Sequence, residues 1–276
     1  MSEDLILVLG ATGKTGRRVS AALRAAGHRV RAASRSSAAR FDWTDPSTWD
    51  DVLDGVAAVY VVAPAVPGPA HEFVPRAVAA GARRFVLLSG RGADTWGDSP
   101  FGLDMRSAED AVRASGVGWS ILRAPNFNQN FDEDLFHAPI MAGELALPAD
   151  GITEPFIDAD DIADVAATLL TAPGHTDGVY ELSGPRALTF REAVDRIARA
   201  SGRPVRYRDV TPEEYVAVLV AQGFPVEDAE YLRQMFDLMR AGTTAEVTDA
   251  VHRVLGRPPR DFESYVARAA AAGAWR

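Results

Sequence analysis

The sequence predicts an α/β fold: a doubly wound parallel sheet with helices on both faces, joined to a smaller, mostly helical C-terminal lobe. Three observations carry this expectation. Short apolar runs alternate with helical patterns through the first half of the chain, as in a parallel sheet covered on both sides. A glycine-rich turn stands directly between the first apolar run and the first helical pattern. Around residue 125 the alternation lapses, and helices with their own start signals follow.

In order, the strand candidates are Leu5–Leu9, Arg29–Ala33, a short one at Arg40–Phe41, Ala58–Val62, Arg84–Leu88 and Gly118–Leu122. Between several of them, helical patterns cover Thr15–Ala26, Ser47–Leu53, Ala70–Ala80 and Arg106–Ser115. Asp45-Pro46 fits an N-cap followed by proline at the first helical position. Farther on, Thr189-Phe190-Arg191-Glu192 and Thr211-Pro212-Glu213-Glu214 both match a capping box. Helical patterns continue through Ala229–Arg240, Glu246–Leu255 and Phe262–Ala272. The expected division is a core at residues 1–150 and, at 151–276, the remaining core elements with a helical substrate lobe packed at the carboxyl ends of the strands.

Composition narrows the function classes. A 276-residue chain that is 47% apolar has ample material for a buried core. A formal net charge of -9 argues against a broad nucleic-acid or anionic-membrane surface. With zero cysteines there is no disulfide, thiolate nucleophile or thiolate metal site. Met1-Ser2-Glu3-Asp4 lacks a signal-peptide pattern, and the apolar stretch Val56–Val66 is interrupted by Pro64 and too short to span a bilayer. A soluble cytoplasmic protein acting on a small molecule is the expectation.

The stretch Val8-Leu9-Gly10-Ala11-Thr12-Gly13-Lys14-Thr15-Gly16 decides the ligand class. Its Gly13-Lys14-Thr15 ending resembles a triphosphate-binding P-loop, but that loop needs a glycine five positions before Gly13, where Val8 stands. The glycines present, Gly10, Gly13 and Gly16, lie between a strand and a helix, where backbone N–H groups and the helix dipole receive a pyrophosphate. A dinucleotide is the better reading; Thr12, Lys14 and Thr15 stand beside it as further contacts.

The end of the second strand meets the adenosine ribose in such a site. Here it reads Ala33-Ser34-Arg35-Ser36-Ser37. A carboxylate there would suit NAD, whereas the planar fork of Arg35 with the Ser34 hydroxyl suits the extra phosphate of NADP. Asp42 is placed to accept from the adenine amino group and Trp43 to cover its ring, with a turn aspartate and a packing tryptophan as the alternative. Ala63 and Pro64, ending the fourth strand, let a cofactor pass close to backbone.

Taken with Arg40-Phe41-Asp42-Trp43-Thr44-Asp45-Pro46, the runs VYVVAPA (59–65), RFVLLSG (84–90), GWSILRAPNFNQNF (118–131), EPFIDADDIADVA (154–166), ALTFREA (187–193) and FESYVARAAAAGAW (262–275) give the chain a wider likeness. It resembles the NmrA-like branch of the atypical short-chain dehydrogenase/reductases, and within it the festuclavine synthase and agroclavine dehydrogenase group. The resemblance covers nearly the whole chain. It implies a Rossmann-type core, NADP(H) as cofactor and a substrate pocket between core and C-terminal lobe.

Ordinary members of that superfamily carry Tyr-x-x-x-Lys after the fifth strand, to protonate the oxygen of a carbonyl as hydride reaches its carbon. The corresponding places fall on or near Gly102 and Arg106, and residues 99–120 contain neither tyrosine nor lysine. A ketone becomes an alkoxide and needs a proton or an oxyanion partner, whereas an iminium becomes a neutral amine on hydride addition alone. An NADPH-dependent reductase of an iminium, imine or similarly activated double bond in a small secondary metabolite follows. A non-catalytic NADP(H)-binding redox sensor and a quinone or enone reductase remain open alternatives. Ser89, a candidate cofactor contact that could orient nicotinamide or substrate, and Asp104 are the candidate groups near the reacting centre; Asn126, Phe127 and Phe131 are the candidate pocket residues, with core packing as the alternative for the two phenylalanines. The histidines at 28, 71, 137, 175 and 252 lack metal-ligand spacing, so no metal is expected. Asp158, Asp160, Asp161 and Asp164 read as helix-start acids.

Overall fold

A computed structural model describes residues 4–172, 177–242 and 244–276; Met1, Ser2, Glu3 and His175, which the sequence reading used, lie outside the described residues. The apolar runs become strands because their side chains bury on both faces. The strands are β1 (Leu5–Leu9), β2 (Arg29–Ser34), β3 (Ala39–Arg40), β4 (Val56–Val62), β5 (Arg84–Gly90) and β6 (Gly118–Ala124). With Gly178–Glu181 they form one sheet in the order β3-β2-β1-β4-β5-β6-(178–181). Every pairing is parallel. The order reverses between β1 and β4, which places the ligand crevice of such a sheet at their carboxyl ends.

Alternate residues fill the two faces. Leu7, Leu9, Val59, Val61, Phe85, Leu87 and Ile121 share one core with helices α2 (Trp49–Leu53), α3 (Pro69–Ala79) and α4 (Pro100–Arg113). Against the other face lie α1 (Lys14–Ala25) and the helix Ala159–Thr171, which pack on one another and are joined by Arg18 Nε donating to Asp160 at 2.9 Å.

Some expected boundaries move. The short third strand is Ala39–Arg40 rather than Arg40–Phe41, because Phe41 turns into the core with Trp49 and Phe73. Helix α4 starts six residues before the expected Arg106, where Ser99 Oγ caps it by accepting from Gly102 N at 3.1 Å. The expected helix Glu246–Leu255 is confined to Ala250–Leu255. Gly178–Glu181 was not expected as a strand; its four half-buried residues lack the all-apolar signature of the inner strands.

The chain forms two compact units, each assembled from separate stretches of sequence. One contains Met1–Ala124, Ala159–Leu182 and Asp249–Pro258; the other contains Pro125–Asp158, Ser183–Thr248 and Pro259–Arg276. Segments of the first unit thus recur after residue 150. The reason is pairing: Gly178–Glu181 needs β6 as a partner, so the chain returns to the sheet after leaving it.

The second unit holds its own core, built around Phe131, Phe136, Phe156, Phe190 and Phe262. Two small sheets belong to it, Glu144–Leu147 with Arg206–Asp209 and Thr153–Glu154 with Leu188–Thr189. Both capping boxes form. Thr189 and Glu192 start the helix Phe190–Ser201, and Thr211 and Glu214 start Pro212–Ala221. Each such cap contributes about 1 kcal/mol, which is why the signal is readable from four residues.

Candidate functional site

The glycine turn is shaped by close backbone approach. Gly10 has a φ of 63°, and Gly13 N donates to Gly10 O at 2.8 Å. A Cβ on Gly16 would lie 2.2 Å from Gly10 O, and one on Gly13 3.2 Å from it. Ala11 N donates to Ala33 O at 3.0 Å, which ties the turn to β2. Gly13 is the N-cap of α1; it offers no side-chain cap, and the first turn holds no acidic residue. First-turn N–H groups with no cap and no competing carboxylate suit an anion. Thr12 and Gly13 are exposed, Lys14 half-buried, and Thr15 and Gly16 buried.

Around the turn lie the other expected contacts. Ser34 closes β2, and its hydroxyl shares a 2.6 Å hydrogen bond with Ser37 Oγ. Arg35, the next residue, is exposed. Asp42 Oδ1 accepts from Thr44 N at 2.9 Å and Thr44 Oγ1 at 2.8 Å. The Thr44 backbone bond, then its hydroxyl, hold the Asp42 carboxyl below its ordinary range, with Arg35 and Arg40 adding to the effect. Trp43 is half-buried with its ring against Phe41, Trp49 and Phe73. Ala63 is half-buried and Pro64 buried at the end of β4.

A buried ionic network occupies the carboxyl end of β5, and its carboxylate and guanidinium were missed in the sequence. Ser89, Arg123 and Glu181 stand in register across three neighbouring strands. Above them Glu109 of α4 is fully buried; Ser89 Oγ donates to its Oε1 at 2.8 Å. Arg123 grips both carboxylate oxygens, Nε to Oε1 at 2.9 Å and Nη2 to Oε2 at 2.8 Å. Its Nη1 reaches Asp94 at 2.6 Å and Glu181 at 3.0 Å. Glu109 pushes the Arg123 guanidinium above its already high ordinary value. Burial pushes the Glu181 carboxyl up in spite of Arg123. The one sequence signal was an arginine inside the apolar run Ile121-Leu122-Arg123-Ala124.

The place expected for the tyrosine is closed by backbone. A Cβ on Gly102 would lie 2.8 Å from Gly97 O. The loop carrying Gly97 is held on α4 by Arg106, whose Nη1 donates to Gly97 O and, at 3.5 Å, to Ala93 O, while Nη2 lies 3.5 Å from Asp98. Trp96 of that loop packs edge-on against Phe101. Asp104 is half-buried, and burial pushes its carboxyl up.

This architecture has a family. The model described as "NmrA-like family" matches residues 2–266. The chain belongs to the NmrA-like family. It is 34% identical to the NAD(P)H azoreductase of Xenophilus azovorans, over 98% of this chain and 100% of that protein. It is 31% identical to festuclavine synthase I of Penicillium roqueforti (strain FM164), over 94% and 96%. Among solved structures, the triphenylmethane reductase of Citrobacter sp. complexed with NADP(H) superposes with a TM-score of 0.77 at 20% identity, over 97% of this chain and 99% of that one. That last likeness is one of fold.

In the second unit of this NmrA-like protein, Asn126 accepts from Asn130 Nδ2 at 3.2 Å and donates through its backbone N to Glu154 at 2.9 Å. Phe127 is half-buried and bridges to Ile157. Phe131 is 0% exposed in the aromatic core, so it presents no surface to a pocket and acts by packing. Gln129 donates to Asp158 at 2.9 Å. The acids read as helix-start residues each meet an arginine: Asp158 with Arg268, Asp160 with Arg18, and Asp161 and Asp164 with Arg257. Among the described residues, no group of His, Cys, Asp and Glu is placed to hold a metal ion, and no helix is long and apolar enough to cross a membrane.

Proposed function

We propose that this protein is an NADPH-dependent reductase of an iminium, imine or similarly activated double bond in a small secondary metabolite. The observation that carries the reading is at Gly102, on or near which the resemblance puts the tyrosine: a Cβ there would meet the carbonyl of Gly97, in a loop bonded to Arg106. A site built this way favours acceptors that need no proton at the moment of hydride transfer.

The cradle for the cofactor is steric. Gly10, Gly13 and Gly16 keep side chains out of the turn, so a pyrophosphate meets backbone N–H groups at the start of α1, with Thr12 and Lys14 beside them. Thr15, buried in the first turn of α1, would donate to the pyrophosphate as well. Arg35, exposed at the end of β2, pairs with the 2′-phosphate, and Ser34 orders the serine loop around it. Asp42 accepts from the adenine amino group and Trp43 lies along the ring; Ala63 and Pro64 leave room along β4. Bound NADPH supplies the hydride. The names of the azoreductase and of the Citrobacter reductase complex, both of which include this class of cofactor, support the assignment. The festuclavine synthase relative supports a secondary-metabolite substrate.

The test is single-turnover loss of nicotinamide absorbance when the purified chain and NADPH meet a cyclic iminium, a quinone, an enone and a ketone. Rapid loss with the iminium alone is expected. Equal loss with the ketone would overturn the reading, and tight NADPH binding without oxidation by any of them would favour a redox sensor.

A further inference from the structure

We propose that towards a substrate Ser89 acts only as a hydrogen-bond acceptor, and that it selects a secondary iminium, whose nitrogen carries a proton, over an N,N-dialkyl iminium, a quinone or an enone. This rests on the reductase reading and names the substrate class of the same site.

The reason is where the serine proton goes. An ionised carboxylate accepts and never donates, and its two oxygens offer about four lone-pair positions. Glu109 has all of them taken. Ser89 Oγ and Arg123 Nε meet Oε1 at 2.8 and 2.9 Å, and Arg123 Nη2 and Arg113 Nη2 meet Oε2 at 2.8 and 3.0 Å. Arg123 cannot swing to replace the serine, because its Nη1 is held by Asp94 and Glu181. Met105 of α4 lies close over the next residue: a Cβ on Gly90 would stand 2.5 Å from Met105 Cε.

A serine hydroxyl has one proton and two lone pairs. Here the proton is committed to a buried carboxylate, a charge-assisted bond roughly twice as strong as a neutral one. Turning it towards a ligand would strip Glu109 of a donor where water cannot replace it, a loss of about tenfold or more in affinity. What Ser89 still offers is lone pairs, at the carboxyl end of β5. A quinone or enone oxygen also brings lone pairs and finds no donor in this hydroxyl. An N,N-dialkyl iminium brings no proton. A secondary iminium brings a cationic N–H, the group that fits.

The chemistry balances without an added acid. Hydride arrives at the iminium carbon with its electron pair and forms the new C–H bond. The C=N π pair moves onto nitrogen, the N–H bond is kept, and the products are a secondary amine and oxidised cofactor.

The experiment uses the full chain with saturating NADPH and two iminium salts of the same ring, one with N–H and one N-methylated, at a pH where the first stays protonated. The wild-type protein is expected to favour the N–H form by about tenfold in kcat/KM. Ser89→Ala is expected to bring that ratio close to one, chiefly by slowing the N–H substrate, with the NADPH Kd from fluorescence titration within about twofold of wild type. Equal loss on both substrates, or a weakened NADPH Kd that explains the loss, would overturn the proposal and assign Ser89 to the cofactor. If Ser89→Ala does not fold, the wild-type ratio decides alone. A wild-type ratio near one leaves the reductase reading standing and sinks the role of Ser89; no turnover with either substrate sinks both.

Discussion

Replacing Gly16 with alanine sets two physical effects against each other, and the structure says which wins. Gly16 lies inside α1, where alanine ordinarily stabilises by about 1 kcal/mol relative to glycine. Its new Cβ would stand 2.2 Å from Gly10 O, 2.7 Å from Gly10 C and 3.0 Å from Ala11 Cα. All three neighbours are backbone, so no rotamer change relieves the contact. The turn and the helix must separate by about 1 Å to restore van der Waals distance, and overpacking of this kind costs about 1–3 kcal/mol. The expected net result is a loss of up to about 2 kcal/mol in urea unfolding followed by circular dichroism, with an NADPH Kd raised by about tenfold as the turn shifts. Gly13→Ala, with its 3.2 Å contact to Gly10 O, should cost clearly less. A Gly16→Ala protein at least as stable as wild type, with unchanged NADPH affinity, would refute the geometry of the turn and the assignment built on it.

Arg35→Ala should lower the preference for NADPH over NADH by about tenfold or more, since one charge-assisted phosphate contact is lost; an unchanged preference in paired titrations would remove Arg35 from the site. Arg123→Met should destabilise by about 3–5 kcal/mol by leaving Glu109 buried with fewer donors, and adding Glu109→Leu should recover part of that loss; additive losses in chemical denaturation would contradict the coupling. Arg208 first, and Arg206 with it, hold the Glu144 carboxyl below its ordinary value of 4.5. The stabilisation from Glu144 is therefore fully present above pH 4.5 and fades as the pH falls through the lowered folded-state value. The Tm difference between wild type and Glu144→Gln should shrink across that range; a constant difference from pH 7 to pH 3 would show that Glu144 does not contribute in this way.

By itself the sequence determined what is local. The apolar runs, Gly10, Gly13 and Gly16, and the capping boxes at Thr189 and Thr211 act through backbone geometry within a few residues, so each could be read before any tertiary contact was known. The family likeness was legible for a related reason: it lies in contiguous runs such as GATGKTG and GWSILRAPNFNQNF. The early start of α4 was harder, because Ser99-Pro100-Phe101-Gly102 reads equally as a turn until the Ser99 cap is seen.

Only the tertiary structure decided what depends on register between distant segments. Phe127 and Phe131 look alike in the sequence, yet one is half-buried and the other is enclosed by rings from Phe136, Phe156 and Phe262. The strand Gly178–Glu181 exists because β6 offers an edge, and its arrival there brings the chain back into the first unit. Ser89, Glu109 and Arg123 were each visible as letters, but their meeting is a property of three separate elements. A shift of one residue in β5 or β6 would send Ser89 or Arg123 to the opposite face of the sheet, away from Glu109, and no nearby run of sequence encodes that choice.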